Sequence, residues 1–340
     1  MHTIEIASPY IIFLGDETRI PYVKTGQGIL DWHPEICKAQ YRLDTDTYDL
    51  GLTDMNIQQA VQAGIKTLII GTAQVAGSIP SNWMPVLLEA AHAGLDIVAG
   101  LHTLLKTIPE LVNASEDGNA RLIDVRIPPT DIPVGNGKKR TGKRLLTVGT
   151  DCALGKKYSS LQLTKDMLAC GMNVDFRASG QTGIMISGEG IPIDCVVGDF
   201  ISGAAEVLSP DNDHDHWDII EGQGGIFHPG YAAVTHGLLL GSQPDAFVVC
   251  HEANRCSISS WPDFSIPSIG EVIKLTIEIG KLTNSNIQCV GICVNSSTLK
   301  SNERSNYLKQ LSESYQLPCV DPLIDGTKAI VKHIQSINFQ

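Results

Sequence analysis

Short, unbroken apolar runs punctuate this chain, and the segments between several of them carry apolar residues at helical spacing. In the first half, Tyr10–Leu14, Thr67–Ile70, Asp96–Ala99 and Leu122–Val125 read as strands. A run with no polar alternation leaves no face for water, so such strands belong inside a parallel sheet. Ile57–Ala63, closed by Gly64, and Trp83–His92, closed by Gly94, read as helices. In the second half, Leu145–Val148, Asn173–Phe176, Asp194–Val197, Asp218–Ile220, Ala246–Cys250 and Cys289–Val294 read as strands. Tyr158–Cys170, Val272–Leu282 and Glu303–Tyr315 read as helices between them. Strands punctuated by helices predict parallel sheets covered on both faces. The expected fold class is α/β, with an N-terminal Rossmann-like parallel-sheet domain over residues 1–127 and a C-terminal doubly wound, P-loop NTPase-like domain over residues 144–340. Residues 128–143, rich in Pro, Gly, Lys and Arg without apolar periodicity, read as the linker.

One strand–helix junction carries the strongest chemical signal. Between Val148 and Tyr158 runs Gly149-Thr150-Asp151-Cys152-Ala153-Leu154-Gly155-Lys156-Lys157. A glycine-rich loop entered from a strand and left through a helix is the setting of a phosphate cradle. Its backbone N–H groups turn inward, and the helix N-terminus adds partial positive charge. Lys156 is placed to reach phosphate oxygens. Five residues separate Gly149 from Gly155, one more than in the common loop. This spacing resembles the loop of dethiobiotin synthetase and its relatives. The position after the loop lysine ordinarily supplies a hydroxyl to Mg²⁺, and here it is Lys157. A second cation in place of a metal ligand suits a phosphate-rich ligand held without a metal, so no metal is expected. Cys152 lies at a helix N-terminus, where a thiol acidifies, but the simpler reading is a small loop-filling residue.

Composition narrows the partners. The chain has 340 residues, and its 25 Lys and Arg against 37 Asp and Glu give a net charge of −12. That excludes a phosphate backbone as the expected partner. No apolar run has the length of a membrane span, and the first residues lack the basic-then-apolar pattern of a secretory signal. Nine cysteines, most of them inside apolar runs, read as reduced thiols of a cytoplasmic protein. Small-molecule substrates fit these bounds, and a homo-oligomer is compatible with them.

Polar residues gather where a doubly wound sheet places its ligands, at the carboxyl ends of strands. Asp218–Ile220 runs into Glu221-Gly-Gln-Gly224-Gly225, and Asp194–Val197 into Gly198-Asp199. Asn173–Phe176 runs into Arg177-Ala-Ser-Gly-Gln181-Thr182-Gly183, and Ala246–Cys250 into His251-Glu-Ala-Asn-Arg255. Cys289–Val294 ends at Asn295, where related P-loop folds read a purine base. Each alone has a plain structural reading, as a cap, a surface charge or a turn. Their concurrence at one edge is the signal. His214 and His216 lie in a polar, turn-like stretch that reads as a solvated loop. Lys24-Thr-Gly-Gln-Gly28 and Gly71–Gly77 read as glycine turns, with anion binding the weaker alternative.

Together these stretches resemble the D-glutamate N-acetyltransferase family, a two-domain family long filed under unknown function. The resemblance rests on Gly149–Lys157, Arg177–Gly183, Val196–Phe200 with Gly203–Glu206, Glu221–Gly225, and Asp96–His102 in the first domain. It covers nearly the whole chain and implies acetyl-CoA as acyl donor, D-glutamate as acceptor, and a place in bacterial D-glutamate breakdown. The loop chemistry agrees independently, since coenzyme A carries a pyrophosphate and a 3′-phosphate. Gly149–Lys157, Tyr158 and Asn295 are then the expected donor-binding residues.

Acetyl transfer to an ammonium also needs a base, and Glu221 and Asp199 are the candidates. An oxyanion needs N–H donors, which Gly222–Gly225 or Gly180–Gly183 would supply. The acceptor's carboxylates need cations, and Arg177 and Arg255 offer forked donors. Arg177, Gln181, Thr182, Gly183, Gly224 and Arg255 are the expected substrate-binding set. Two other readings stay open on the residues. One is a Mg-ATP-dependent ligase or kinase of the dethiobiotin synthetase type, which shares the loop spacing. The other is a non-catalytic nucleotide-binding switch.

Overall fold

The computed structural model describes residues 2–73 and 77–339. In chain order the first elements are β1 (His2–Thr3), β2 (Tyr10–Gly15), α1 (Lys24–Trp32), β3 (Cys37–Arg42), β4 (Thr53–Asp54), α2 (Ile57–Gln62), β5 (Thr67–Ile70), α3 (Met84–His92), β6 (Asp96–Ala99), α4 (Pro109–Gly118) and β7 (Leu122–Asp124). There follow β8 (Lys143–Gly149), α5 (Lys156–Ala169), β9 (Val174–Arg177), α6 (Gln181–Ser187), β10 (Glu189–Gly190), α7 (Ile201–Leu208), β11 (Trp217–Ile220), α8 (Ala232–Ser242) and β12 (Ala246–Glu252). The chain closes with β13 (Ser257–Ile258), β14 (Trp261–Ser265), α9 (Ile269–Gly280), β15 (Gln288–Asn295), α10 (Ser301–Tyr315), β16 (Cys319–Val320) and α11 (Lys328–Ser336). Two compact units result. One comprises His2–Pro128 with Gln181–Pro192, and the other Pro129–Gly180 with the chain from Ile193 onward.

The first unit is a parallel sheet in the order β4-β3-β2-β5-β6-β7. The chain starts at the centre, moves outward through β3 and β4, and returns across β2 to β5. This is the Rossmann order, with its switch point between β2 and β5. Ile11, Phe13, Leu68 and Ile97 are fully buried, as the unbroken apolar runs require. Trp83 meets Phe13 edge-on at 5.2 Å. Gly15 permits that packing, because a Cβ there would lie 2.2 Å from the indole. A reciprocal cap starts α2, with Gln59 N–H donating to Asn56 Oδ1 and Asn56 N–H donating to Gln59 Oε1. β1 pairs antiparallel with β10, and α6 packs beside α1, so a segment inserted late in the sequence completes this unit.

The second unit is a parallel sheet in the order β16-β15-β12-β8-β11-β9. Leu145, Ile219 and Val248 are fully buried at its centre, with Leu163 and Met167 of α5 and Ile330 and Val331 of α11 in the same apolar core. Residues 128–142 contain no helix or strand. Part of this stretch is nonetheless fixed, since the N–H groups of Asn136 and Gly137 donate to the Glu206 carboxylate and Arg140 donates to the carbonyls of Ser209 and Gly241.

Two expectations are corrected. Asp194–Val197 is not a strand. Short 3-10 turns at Ile193–Cys195 and Gly198–Phe200 occupy this stretch, and Asp194 and Val197 are exposed. Pro192 lacks the N–H that a ladder needs at its start. Lys24–Gly28 is not a turn but the first part of α1. Its glycines serve contact, since a Cβ on Gly26 would lie 3.3 Å from the Gly71 Cα. The glycine turn expected at Gly71–Gly77 extends over Gln74–Ala76, which lie outside the described residues. The strand β3 was not legible because Lys38, Gln40 and Arg42 break its apolar pattern.

Candidate active site

The cradle loop leaves β8 and enters α5, as the sequence predicts. Two residues take positive φ, Ala153 at 53° and Gly155 at 103°. A left-handed alanine costs about 1–2 kcal/mol, and such strain concentrates where backbone geometry serves a ligand. The loop is braced from within. Thr150 N–H donates to the Cys250 carbonyl at 3.0 Å, and its hydroxyl lies 3.1 Å from His251 Nδ1. Lys156 Nζ donates to the Asp151 carbonyl at 2.8 Å. Leu154 points into the apolar core, and Lys157 lies over the Tyr158 ring at 4.3 Å.

Asp151 anchors the loop. It is fully buried, and it accepts the Cys152 N–H through Oδ1 and both Arg255 Nη1 and the Ser259 N–H through Oδ2. Arg255 also donates to the Cys152 carbonyl and to Glu252. The structure therefore engages Arg255 in holding the loop rather than presenting a fork to a substrate carboxylate.

Glu221 emerges from the end of β11, next to β8 in the sheet, and is only 4% exposed. Its Oε2 accepts the N–H groups of Ser179 and Gly180 at 3.1 and 3.0 Å. Burial pushes its carboxyl up to about 7, against the opposing charge of Lys157 and the two backbone donors. A carboxyl poised near neutrality beside a lysine is suited to proton transfer. The Gly180 N–H is thus engaged by Glu221, and the Gly222 N–H donates to Thr147 Oγ1 at 2.9 Å. Neither is placed as an oxyanion donor. Gly224, at φ 66°, packs on Tyr231 and Thr235, where a Cβ would lie 2.6 Å from each nearest oxygen.

Other predicted residues fall elsewhere. Asp199 is exposed in a 3-10 turn, so the strand end that motivated its role does not exist. Arg177 is buried, donating to Asp218 at 2.6 Å and to Asp175 at 3.2 Å. The same Asp218 accepts the Ser209 hydroxyl and lies 3.1 Å from His216 Nε2. His216 is therefore part of a buried ion-pair network and not of a solvated loop. Asn295 ends β15 as expected, with Oδ1 accepting the Ser297 N–H. Gln181, Thr182 and Gly183 form the first turn of α6 in the first unit.

The sequence reading missed an aromatic brace under the loop. His228 stacks on Tyr231 at 4.5 Å and meets Trp261 edge-on at 4.7 Å. Its Nδ1 accepts the Gly230 and Tyr231 N–H groups, which puts the ring proton on Nε2, 3.9 Å from Asp151 Oδ1. Burial holds this imidazole below its usual range, and Lys156 adds to the effect against Asp151. Nothing in the spacing of His228 from the loop marks it, because the contact is made only by the fold.

A family model described as a P-loop domain of unknown function (DUF1611_C) matches residues 133–331, and a Rossmann-like companion (DUF1611_N) matches residues 38–128. A protein of Pseudoalteromonas sp named D-glutamate N-acetyltransferase is 46% identical over 331 residues, covering 97% of this chain and all of that one. A protein of the same name from Tritonibacter scottomollicae is 42% identical over 332 residues, covering 98% of this chain and all of its own length. The crystal structure of a DUF1611 family protein from Anabaena variabilis superposes with a TM-score of 0.88 at 30% identity, over 97% of this chain and all of that one. The family domains, the full-length relatives and the shared two-sheet architecture agree: this chain belongs to the DUF1611 family.

Proposed function

We propose that this protein moves the acetyl group of acetyl-CoA to the amino group of D-glutamate, giving N-acetyl-D-glutamate and coenzyme A. The observation that carries the reading is identity above 40% along the whole length of two relatives named for that activity. The site supports it. The loop offers a helix N-terminus and two lysines to the donor's phosphates, with Tyr158 following in α5 and Asn295 two strands across the sheet at the end of β15. Lys157 stands where a nucleoside-triphosphate enzyme presents a hydroxyl to its metal. In this reading Glu221 is the proton acceptor for the ammonium, and the acetyl carbon passes from sulfur to nitrogen as the coenzyme A thiolate leaves. Arg255 and His228 act through Asp151 as positioning residues. The nine free cysteines support a cytoplasmic setting.

The deciding experiment mixes the protein with acetyl-CoA and D-glutamate in EDTA and identifies products by mass spectrometry. N-acetylglutamate is the expected product. ATP consumption on restoring Mg²⁺, with no acetylated product, would replace this reading with a ligase or kinase.

A further inference from the structure

We propose that the crevice at the carboxyl ends of β2, β5 and β6 is the acceptor subsite, built for an amino dicarboxylate. The inference rests on the acetyltransferase reading and places its acceptor in the first unit.

The position follows from topology. The chain leaves β2 toward β3 and later returns to β5 on the other side, which opens a crevice at that switch point. The N-terminus of α1 faces it, because the Gly26 N–H donates to the Gly71 carbonyl at 2.7 Å just beyond β5. Among the described residues no side chain hydrogen-bonds as a cap at this helix start, where Val23 is the N-cap. Its partial positive charge therefore favours an anion.

Two buried oxygens line the same edge. Thr72, the residue after Gly71, is 1% exposed, and its hydroxyl has no hydrogen-bond partner among the described residues. The Gln181 side chain lies across the end of β6, so closely that a Cβ on Gly100 would sit 1.8 Å from its Oε1. That oxygen also has no partner among the described residues. The register that pairs Ile69 with Val98 brings Gly71 and Gly100 side by side, so the two oxygens share one edge. Buried polar atoms without partners are rare in native folds. An amide oxygen accepts only, and a hydroxyl also accepts, so both suit an ammonium with its three donors.

The surrounding groups suit the rest of such a ligand. Thr182 and Thr25 join hydroxyls at 3.1 Å, tying α6 to α1. Arg126 brings a guanidinium to the Gly100 carbonyl at 3.4 Å, at the β6 side. One carboxylate then faces the α1 N-terminus, and Arg126 adds positive charge at the β6 side.

The test uses the full chain, with Thr72→Val, Thr72→Ser and Gly100→Ala, each checked by its melting curve. Thr72→Val removes the hydroxyl at constant shape, and Gly100→Ala displaces Gln181. Both are expected to raise the D-glutamate KM roughly 10-fold or more while leaving the acetyl-CoA KM in place. Thr72→Ser is expected to show a smaller rise than Thr72→Val. Folded variants with a wild-type D-glutamate KM would overturn the subsite and leave the acetyltransferase reading intact. If the wild type forms no product, calorimetric titration with D-glutamate decides. Binding that is lost in Thr72→Val sustains the subsite, and no binding by the wild type overturns it.

Discussion

The Glu221 carboxylate, at the end of β11, accepts the Gly180 N–H at 3.0 Å and so fixes the turn that follows β9. A single buried acid thereby joins the proposed proton transfer to the start of the segment that folds back into the first unit.

Glu221→Gln should lower kcat by about 100-fold or more, as loss of a general base does. The amide keeps an acceptor for Ser179 and Gly180, so the turn survives. In the wild type kcat/KM should rise with pH through about 7, where burial places this carboxyl. Stability should move the opposite way. The unfolded chain releases this proton near pH ~4.3, whereas the native chain keeps it up to about 7. The group's contribution is complete below the lower value and declines as pH rises through the upper one. Melting temperatures of Glu221→Gln across that window should lack this decline. A variant with wild-type kcat would remove Glu221 from the chemistry.

Arg255→Ala should raise the acetyl-CoA KM more than the D-glutamate KM. Its guanidinium holds Asp151 at 2.9 Å, and with it the geometry of the cradle loop. Steady-state kinetics with each substrate varied in turn checks this. A selective rise in the D-glutamate KM would instead assign Arg255 to the acceptor.

Lys157→Ala separates the two ends of the donor. If the lysine holds a phosphate, the acetyl-CoA KM should rise about 10-fold or more. A short acetyl thioester without a nucleotide should be used equally well by wild type and variant. An equal loss with both donors would place Lys157 at the reacting thioester beside Glu221.

Arg177→Met should cost about 3–5 kcal/mol of stability, because it takes the guanidinium from buried Asp218 and leaves that charge only the Ser209 hydroxyl and the His216 ring. Denaturant unfolding measures this directly. A raised D-glutamate KM without loss of stability would return Arg177 to the substrate.

Much of this architecture was legible in the sequence where burial alone decides. Tyr10–Leu14, Thr67–Ile70 and Ala246–Cys250 are strands because unbroken apolar runs must leave water on both faces. The cradle was legible because its glycine spacing, lysines and flanking elements are adjacent in the chain. Asp194–Val197 misled because a short apolar run has no preference strong enough to override Pro192 and an exposed position.

What the sequence by itself determined is therefore local: the strands, the loop between β8 and α5, and the emergence of Glu221 from a strand end. Only the tertiary structure decided how the charges are paired. Arg177 and Arg255 are each one guanidinium with a fixed number of donors, and Asp218 and Asp151 engage them from partners 41 and 104 residues away in sequence. Tertiary structure likewise set the oxygens of Thr72 and Gln181, which lack partners among the described residues, at neighbouring strand ends, because the segment carrying Gln181 folds back into the first unit. Hydrogen-bond geometry is read in ångströms through space, and spacing along the chain does not encode it.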